Sequence, residues 1–227
     1  AASASELDLG SPGSTSVPAN ASDASDSTVV PLIHVCGDSH AISPAWNTVE
    51  VCGSPRLLKP ELVTGLKHFH LRDETDFYPK KNFYRVVQNI PDGADVIFIF
   101  GEIDCREGIL LAVEKGRYAN VEEGMLYTIN IFIRAALELQ KQRGFRMFIH
   151  PVIPVLNETR NIVKAYNKIF KARVNEVEGL EWIDGVFTRL LTPDGSKLKS
   201  EYELDGTHLH PSYVSLLGEG LTEIWRG

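Results

Sequence analysis

Residues 31–40 read PLIHVCGDSH, an apolar run that ends directly in Gly37, Asp38, Ser39 and His40. A short apolar run bounded by a turn signal predicts a buried strand. Ser39 then lies on a tight turn at the carboxyl end of that strand, where open α/β sheets place their ligand sites. The stretch therefore predicts the first strand of a sheet and a serine hydroxyl at its functional edge.

Strand-like and helix-like segments alternate through the remainder of the chain. Apolar runs predict strands at residues 95–100, 145–150 and 180–183, and weaker patterns predict strands at 49–52 and 62–64. Apolar residues at helical spacing predict helices at 82–89, 121–143, 157–178 and 212–225. Strands that are apolar on both faces are typical of parallel sheets covered by helices. We predict an α/β fold, a three-layer α/β/α sandwich with a central parallel sheet of the flavodoxin-like kind.

The chain of 227 residues divides into a short extension and one domain. Residues 1–29 are rich in Ala, Ser, Asp, Pro and Gly and nearly lack large apolar side chains, so burial cannot offset the entropy of ordering them. We expect a flexible N-terminal extension there and a single domain over residues 30–227. The chain opens at Ala1 without Met, which is compatible with a processed organellar or secreted chain and leaves the compartment open.

The net charge and the length of the apolar runs argue against two classes of interaction. The formal net charge is -7, whereas a domain that binds nucleic acid carries a basic patch or stripe. No apolar run approaches the roughly 20 residues of a membrane helix. We therefore expect neither a nucleic-acid partner nor a transmembrane segment.

The cysteines are Cys36, Cys52 and Cys105, an odd number without metal-ligand spacing. We predict that all three are buried free thiols. The alternative is one disulfide with one free thiol, which would indicate an oxidising compartment.

Three short polar blocks lie at the ends of predicted elements: residues 37–40 (GDSH), 101–106 (GEIDCR) and 205–208 (DGTH). The first two follow strands, so they converge at the carboxyl edge of a parallel sheet, and the third lies on a loop that can return there. A serine hydroxyl becomes a nucleophile when a base takes its proton. A neutral His208 could be that base, and Asp205 could hold its imidazole in the required tautomer.

These blocks, in this order and at these elements, resemble the motifs of the SGNH (or GDSL) hydrolase superfamily from about residue 31 to the C-terminus. Its members are serine esterases, lipases, acyltransferase-like enzymes and carbohydrate deacetylases on a three-layer α/β/α fold. The resemblance implies that Ser39 is the nucleophile, His208 the base and Asp205 the acid that orients it. It also implies a small-acyl or carbohydrate ester as substrate, with no metal and no organic cofactor.

The chain departs from the family pattern at the oxyanion hole. The family's third block is Gly-x-Asn-Asp, in which the Asn side chain donates to the oxyanion, and Ile103 stands at that position here. In the family's second block, a glycine also donates to the oxyanion through its backbone N–H. Gly65 is the best match for that glycine here, and Gly53 is the alternative. The oxyanion candidates are therefore the backbone N–H groups of Ser39 and Gly65 and the guanidinium of Arg106. Loss of one donor typically slows acyl transfer by about 10²–10³-fold.

Four further residues are candidates for the pocket around the serine: His40, Gly101, Asp104 and His150. Gly101 and Asp104 match the family's third block. His40 directly follows the serine, and His150 ends a predicted strand, so each either lines the pocket or packs as a structural histidine.

The charged residues of the block at 101–106 also have a structural interpretation. Asp104 and Arg106 can form a local ion pair that closes the end of the strand. Glu102 is expected to be solvated or paired with Arg106.

Two functional hypotheses stay open. The first is a serine esterase or deacylase that acts through Ser39, His208 and Asp205. The second is a catalytically degenerate domain of the same fold, a structural or binding subunit of a larger assembly, as the missing donor at Ile103 would allow. In such an assembly, protein partners would hold residues 1–29, which need another surface to become ordered.

Overall fold

A six-stranded mixed sheet forms the centre of the fold in the computed structural model, which describes residues 29–227. The strands are β1 (Leu32–Gly37), β2 (Thr48–Val51), β3 (Ser54–Leu62), β4 (Asp95–Ile99), β5 (Arg146–Ile149) and β6 (Leu180–Trp182). Their spatial order is β2-β3-β1-β4-β5-β6, with β2 antiparallel to β3 and the other five strands parallel. The five parallel strands have the 2-1-3-4-5 order of flavodoxin-like folds. The predicted fold class is confirmed, with one antiparallel edge strand added.

Helices cover both faces of this sheet. They are α1 (Tyr78–Gln88), α2 (Ile109–Glu114), α3 (Val121–Arg143), α4 (Arg160–Asn175), α5 (Val186–Leu190) and α6 (Val214–Arg226). Buried residues of α1, α3 and α4 share one apolar cluster, and those of α5 and α6 share another. In β4, Val96 and Phe98 join the first cluster, whereas Ile97 and Ile99 join the second. The sheet therefore has an apolar core on each face, as three layers require.

Helix boundaries differ from the predicted ones by a few residues. The helix predicted at 82–89 begins at Tyr78. Pro79 lies in its first turn, where backbone N–H groups have no intrahelical hydrogen bond, so a residue without an N–H is tolerated. The last helix begins at Val214 after a 3-10 turn at Pro211–Tyr213. The short helices α2 and α5 were not predicted, since neither spans enough residues to show helical periodicity. Within residues 29–227, none of the helices combines the length and apolar character needed to span a membrane.

The strand predicted at residues 62–64 is wrong. The strand in this part of the chain is β3, which ends at Leu62 and begins at Ser54, directly after a turn from β2. Pro55 and Pro60 lie within β3, and proline argues against a strand because it cannot donate to the ladder. Pairing with β1 on one side and β2 on the other overrides that local signal.

All three cysteines are free thiols, so the alternative disulfide is not formed. Cys36 and Cys105 are buried, and burial raises the pKa of both thiols well above the usual range. Neither is therefore a reactive thiolate near neutral pH. The prediction that Cys52 is buried is wrong, because Cys52 is exposed at the β2–β3 turn with a φ of 51°.

The strand order indicates which edge of the sheet is suited to bind a ligand. β1 lies between β3 and β4, and the winding of the parallel strands reverses there. Open α/β sheets bind ligands at the carboxyl ends of the strands beside such a switch point. The block at 37–40 follows β1 and the block at 101–106 follows β4, so both lie at that edge. The predicted flexible extension, residues 1–29, lies outside the described residues except for Val29.

Gly37 gives a prediction about packing at the end of β1. A Cβ atom there would come within 2.7 Å of the Ile99 carbonyl oxygen and 2.9 Å of the Ala41 Cβ. We expect Gly37→Ala to lower the free energy of unfolding by about 1–3 kcal/mol, because the added methyl forces the backbone to shift. Gly108→Ala is the matched control, since a Cβ atom there meets nothing closer than 3.8 Å. Urea denaturation measures both, and an equal loss in the two variants would contradict this packing.

Candidate active site

The turn after β1 presents Ser39. Asp38 caps a 3-10 turn at Ser39–Ile42 through its Oδ1 atom, which accepts the backbone N–H of His40 at 3.0 Å. Ser39 occupies the first position of that turn and is partly exposed. Its own backbone N–H has no protein partner among residues 29–227. The turn therefore leaves both the hydroxyl and the N–H of Ser39 available at the carboxyl edge of the sheet.

A tight loop before α6 brings His208 to Ser39. Oδ1 of Asp205 accepts the backbone N–H groups of Thr207 at 2.9 Å and of His208 at 2.7 Å. Gly206 adopts the left-handed conformation of this turn, with a φ of 79°. Oδ2 of Asp205 accepts the Nδ1–H of His208 at 2.8 Å, and Nε2 of His208 lies 2.9 Å from Oγ of Ser39. The three residues that the motifs singled out therefore lie together in the fold.

Hydrogen bonding sets the charge state of these groups. The bond from the His208 side chain, joined by the N–H groups of Thr207 and His208, holds the pKa of the Asp205 carboxyl far below its usual range. Because an ionised carboxylate can only accept, Nδ1 of His208 carries a proton, and in a neutral imidazole Nε2 then presents its lone pair to Ser39. The Ser39 hydroxyl then donates to Nε2, the geometry in which a neutral imidazole can take a serine proton.

A group of polar side chains lies beside His208, with His40 and Glu102 buried and Arg106 half-buried. The ring centroids of His40 and His208 are 5.2 Å apart, and Nε2 of His40 lies 3.5 Å from Oε2 of Glu102. Glu102 is only 2% exposed, and Nη1 of Arg106 lies 3.5 Å from the same oxygen. Glu102 is thus paired with Arg106 but is not solvated. Sequence reasoning missed its contact with His40, because nothing local distinguishes a buried glutamate from a surface one.

Asp104 does not form the predicted ion pair with Arg106. Its carboxyl accepts the backbone N–H groups of His68 at 2.7 Å and Phe69 at 3.3 Å, while Arg106 pairs with Glu107 at 3.1 Å. The Asp104 carboxyl is buried and bonded to those two N–H groups, whereas Arg106 is only half-buried, which explains the difference. Burial raises the pKa of Asp104 to about 7 despite these donors. Asp104 therefore ties the segment after β3 to the block after β4.

Gly101 and His150 lie inside the fold at the same edge. Gly101 has a φ of 109°, and a Cβ atom there would come within 2.8 Å of Val152, so the position requires glycine. His150 is buried, and its Nδ1–H donates to the carbonyl oxygen of Pro151 at 2.7 Å. Burial lowers the pKa of His150 to about 4. These contacts match the structural interpretation of His150 as a hydrogen-bonded histidine near the core.

The two glycine candidates for the oxyanion hole lie at opposite edges of the sheet. β3 runs parallel to β1, so Gly65 follows the carboxyl end of β3 at the Ser39 edge, whereas Gly53 precedes its amino end. Gly65 is exposed with a φ of 71°, and its N–H has no protein partner in the described part of the chain. Ile103 is half-buried and offers no side-chain donor.

His68 is a buried histidine at the start of the 3-10 turn His68–Leu71, which follows β3. Its Nδ1 lies 2.7 Å from the Tyr166 hydroxyl, and its ring stacks on Phe132 at 4.2 Å between centroids. Burial lowers its pKa to about 3. Between residues 29 and 227, no three His, Cys, Asp or Glu side chains come together in a way that could hold a metal ion.

No model of a known protein family matches this sequence, and no curated protein matches it. Solved structures match its fold. A Streptococcus pneumoniae protein described as a platelet activating factor has a TM-score of 0.59 at 17% identity, over 88% of this chain and 86% of that chain. A lipase from a goat rumen metagenome has a TM-score of 0.54 at 12% identity, over 86% and 97% of the two chains. A Bacteroides fragilis acylhydrolase has a TM-score of 0.51 at 13% identity, over 87% and 90%. At these identities the likeness establishes a shared fold, an α/β sandwich that also occurs in an acylhydrolase and a lipase.

The two buried histidines give a prediction about pH. Their pKa values, about 3 for His68 and about 4 for His150, lie below the ordinary value of 6.5, so the unfolded chain takes up these protons first as the pH falls. We expect both rings to give the NMR signals of neutral imidazole down to about pH 5. Because the unfolded chain binds these protons more readily, the free energy of unfolding should decrease as the pH falls from about 6.5 to about 4. A titration midpoint near 6.5 for either ring would contradict their burial.

Proposed function

We propose that the protein is a serine ester hydrolase of the SGNH type, acting on a small-acyl or carbohydrate ester. The observation that carries the proposal is the chain of hydrogen bonds from Asp205 through His208 to Oγ of Ser39, with lengths of 2.8 and 2.9 Å. A serine esterase needs a nucleophile, a base and an orienting acid in this arrangement. The fold shared with an acylhydrolase and a lipase supports the same class of reaction. Residues 30–227 would act as one domain.

The positions of these groups suggest how the ester bond would break. As Oγ of Ser39 attacks the ester carbonyl carbon, its proton passes to Nε2 of His208 and the carbonyl oxygen becomes an oxyanion. The imidazolium then gives that proton to the departing alcohol, which leaves the acyl group on Ser39. Water then attacks the acyl-enzyme and loses a proton to His208. The imidazolium returns that proton to Oγ of Ser39 as the C–O bond breaks and the acid leaves. Asp205 stays ionised throughout and stabilises the imidazolium.

We assign the oxyanion to the backbone N–H groups of Ser39 and Gly65 and to the guanidinium of Arg106. Both N–H groups are free of protein partners within residues 29–227 and follow the neighbouring strands β1 and β3. Nη1 of Arg106 lies 3.5 Å from Oε2 of Glu102, and the same oxygen lies 3.5 Å from Nε2 of His40, so the charge of Arg106 lies near the Ser39 turn. In this proposal Arg106 takes the place of the amide donor that Ile103 lacks.

Substitution of the three residues tests the proposal. We expect Ser39→Ala and His208→Ala to lower kcat/KM for p-nitrophenyl acetate by about 10³-fold or more, because they remove the nucleophile and the base. Asp205→Asn should lower it by about 10²–10⁴-fold, because it removes the carboxylate that holds the His208 tautomer and stabilises the imidazolium. Ser215→Ala is the matched control, since its hydroxyl bonds only to the Ser212 carbonyl oxygen, and it should retain wild-type activity. Release of p-nitrophenolate measures all four variants.

Two outcomes of that assay would contradict the proposal. A folded wild-type protein that does not cleave p-nitrophenyl acetate would favour the alternative, a binding or structural subunit with the same fold. Equal activity in wild type and Ser39→Ala would show that another residue is the nucleophile.

Arg106→Ala tests the substitute donor separately. We expect kcat to fall by about 10²-fold with little change in KM, because an oxyanion donor acts mainly in the transition state. Arg173→Ala is the matched control, as it removes a partly exposed guanidinium of α4 that pairs with Glu176. An unchanged kcat in Arg106→Ala would remove Arg106 from the oxyanion hole.

A further inference from the structure

One cavity of the described fold lies apart from Ser39. It has a volume of about 330 Å³ and lies between a 3-10 turn at His68–Leu71, a π-helical turn at Asp104–Gly108 that leads into α2, and α3. None of Ser39, Asp205 and His208 lines it. Its walls combine cations with apolar side chains that the proposed ester hydrolysis does not use.

Positive charge collects around this cavity. Four cationic side chains line it: Lys67, Arg72, Lys115 and Arg117. The carboxyls that line it are those of Glu107 and Asp104, and burial raises the pKa of Asp104 to about 7, so that carboxyl is partly protonated near neutral pH. The cavity is therefore positive on a chain whose formal net charge is -7. Such a local reversal of sign attracts anions.

Two of the four cations have no protein partner. Lys67 lies 3.9 Å from a carboxylate oxygen of Glu107, and Arg72 lies 3.4 Å from a carboxylate oxygen of its own loop. Within residues 29–227, Lys115 and Arg117 form neither an ion pair nor a side-chain hydrogen bond, and both are exposed. Their charges are therefore free to meet an anion at the cavity.

Large apolar side chains surround the same cavity. Phe77 is 51% exposed and Leu111 is 48% exposed. Phe69 lies beneath the guanidinium of Arg72, with 3.7 Å between its ring centroid and Cζ, and Tyr118 completes the aromatic lining. Ligand pockets are typically lined by apolar and aromatic side chains together with a few polar groups. These walls can cover the apolar body of a ligand while the cations hold its charged end.

The π-helical turn forms a fixed wall of the cavity. The backbone N–H of Ile109 bonds to the carbonyl oxygen of Asp104, and Glu107 and Gly108 of that turn line the cavity. Such turns are rare and occur frequently at functional sites. The Asp104 carboxyl in turn accepts backbone N–H groups of the opposite wall, at His68 and Phe69. The two walls are thus tied together, and the cavity does not depend on a single surface loop.

We propose that this cavity is a binding site for an organic anion with a ring-sized apolar body. Lys115 and Arg117 hold its carboxylate, sulfate or phosphate group, and Phe69, Phe77 and Leu111 cover its body. A bare inorganic anion would leave the apolar wall exposed, and a neutral ring would leave the two cations unpaired. The site is independent of the proposed ester hydrolysis, because no residue of that mechanism lines it.

Isothermal titration calorimetry with phenyl phosphate tests this site. We expect saturable binding that is at least about tenfold tighter than for inorganic phosphate or for phenol, since only phenyl phosphate meets both the cations and the apolar wall. Added salt should weaken the binding, because the attraction is partly between exposed charges. Ser39→Ala should bind phenyl phosphate as the wild type does, which separates this site from the proposed active site.

Variants of the cavity complete the test. Lys115→Ala/Arg117→Ala should weaken phenyl phosphate at least about tenfold, whereas Lys141→Ala/Arg226→Ala, with the same change of charge away from the cavity, should not. Ala112→Trp places a large ring among the lining residues and should abolish binding without removing a charge. Absence of saturable binding to wild type, equal weakening by both double variants, or loss of binding in Ser39→Ala would each overturn the proposal.

Discussion

The hydrogen bond between Nε2 of His208 and Oγ of Ser39 is the contact on which the candidate site depends. It joins residues 169 positions apart, so it forms only when the sheet, the turn after β1 and the loop before α6 are all in place. Gly37 allows the turn to pack against β4. Gly218 allows α6 to approach β2, because a Cβ atom there would come within 2.5 Å of Val49. Both ends of the bond are thus positioned by close backbone packing that side chains would prevent.

Polar groups are concentrated at this edge of the sheet at a cost in stability. Asp38, His40 and Glu102 are all buried, and each has one side-chain atom without a protein partner within residues 29–227. An unsatisfied buried polar group costs about 1–3 kcal/mol. Apolar side chains of similar size would avoid that cost. Proteins depart from such rules mainly at functional sites, so the cluster beside Ser39 agrees with a place of chemistry better than with a structural turn.

The sequence predicts those features whose signals are local. β1 and β4 are apolar runs closed by glycine, so the convergence of the blocks that follow them is expected from the rule that parallel strands share an edge. Asp205 and His208 belong to a short motif on a loop that returns to the same edge. β3 could not be predicted, because Pro55 and Pro60 signal against a strand and only its two neighbours hold it there. The sequence could not decide between the two acidic partners of Arg106 either. Asp104 is two residues away and Glu102 is four, yet Arg106 pairs with Glu102, because the Asp104 carboxyl accepts the backbone N–H groups of His68 and Phe69.

The most direct test of the central claim is the site of covalent capture by a fluorophosphonate. Such a reagent attaches to a serine hydroxyl that a neighbouring base has activated. After reaction with the folded wild-type protein, peptide mass spectrometry should find one adduct, on Ser39, and the His208→Ala variant should form it far more slowly. An adduct on another residue, or a folded wild-type protein that forms none, would contradict the claim that His208 activates Ser39.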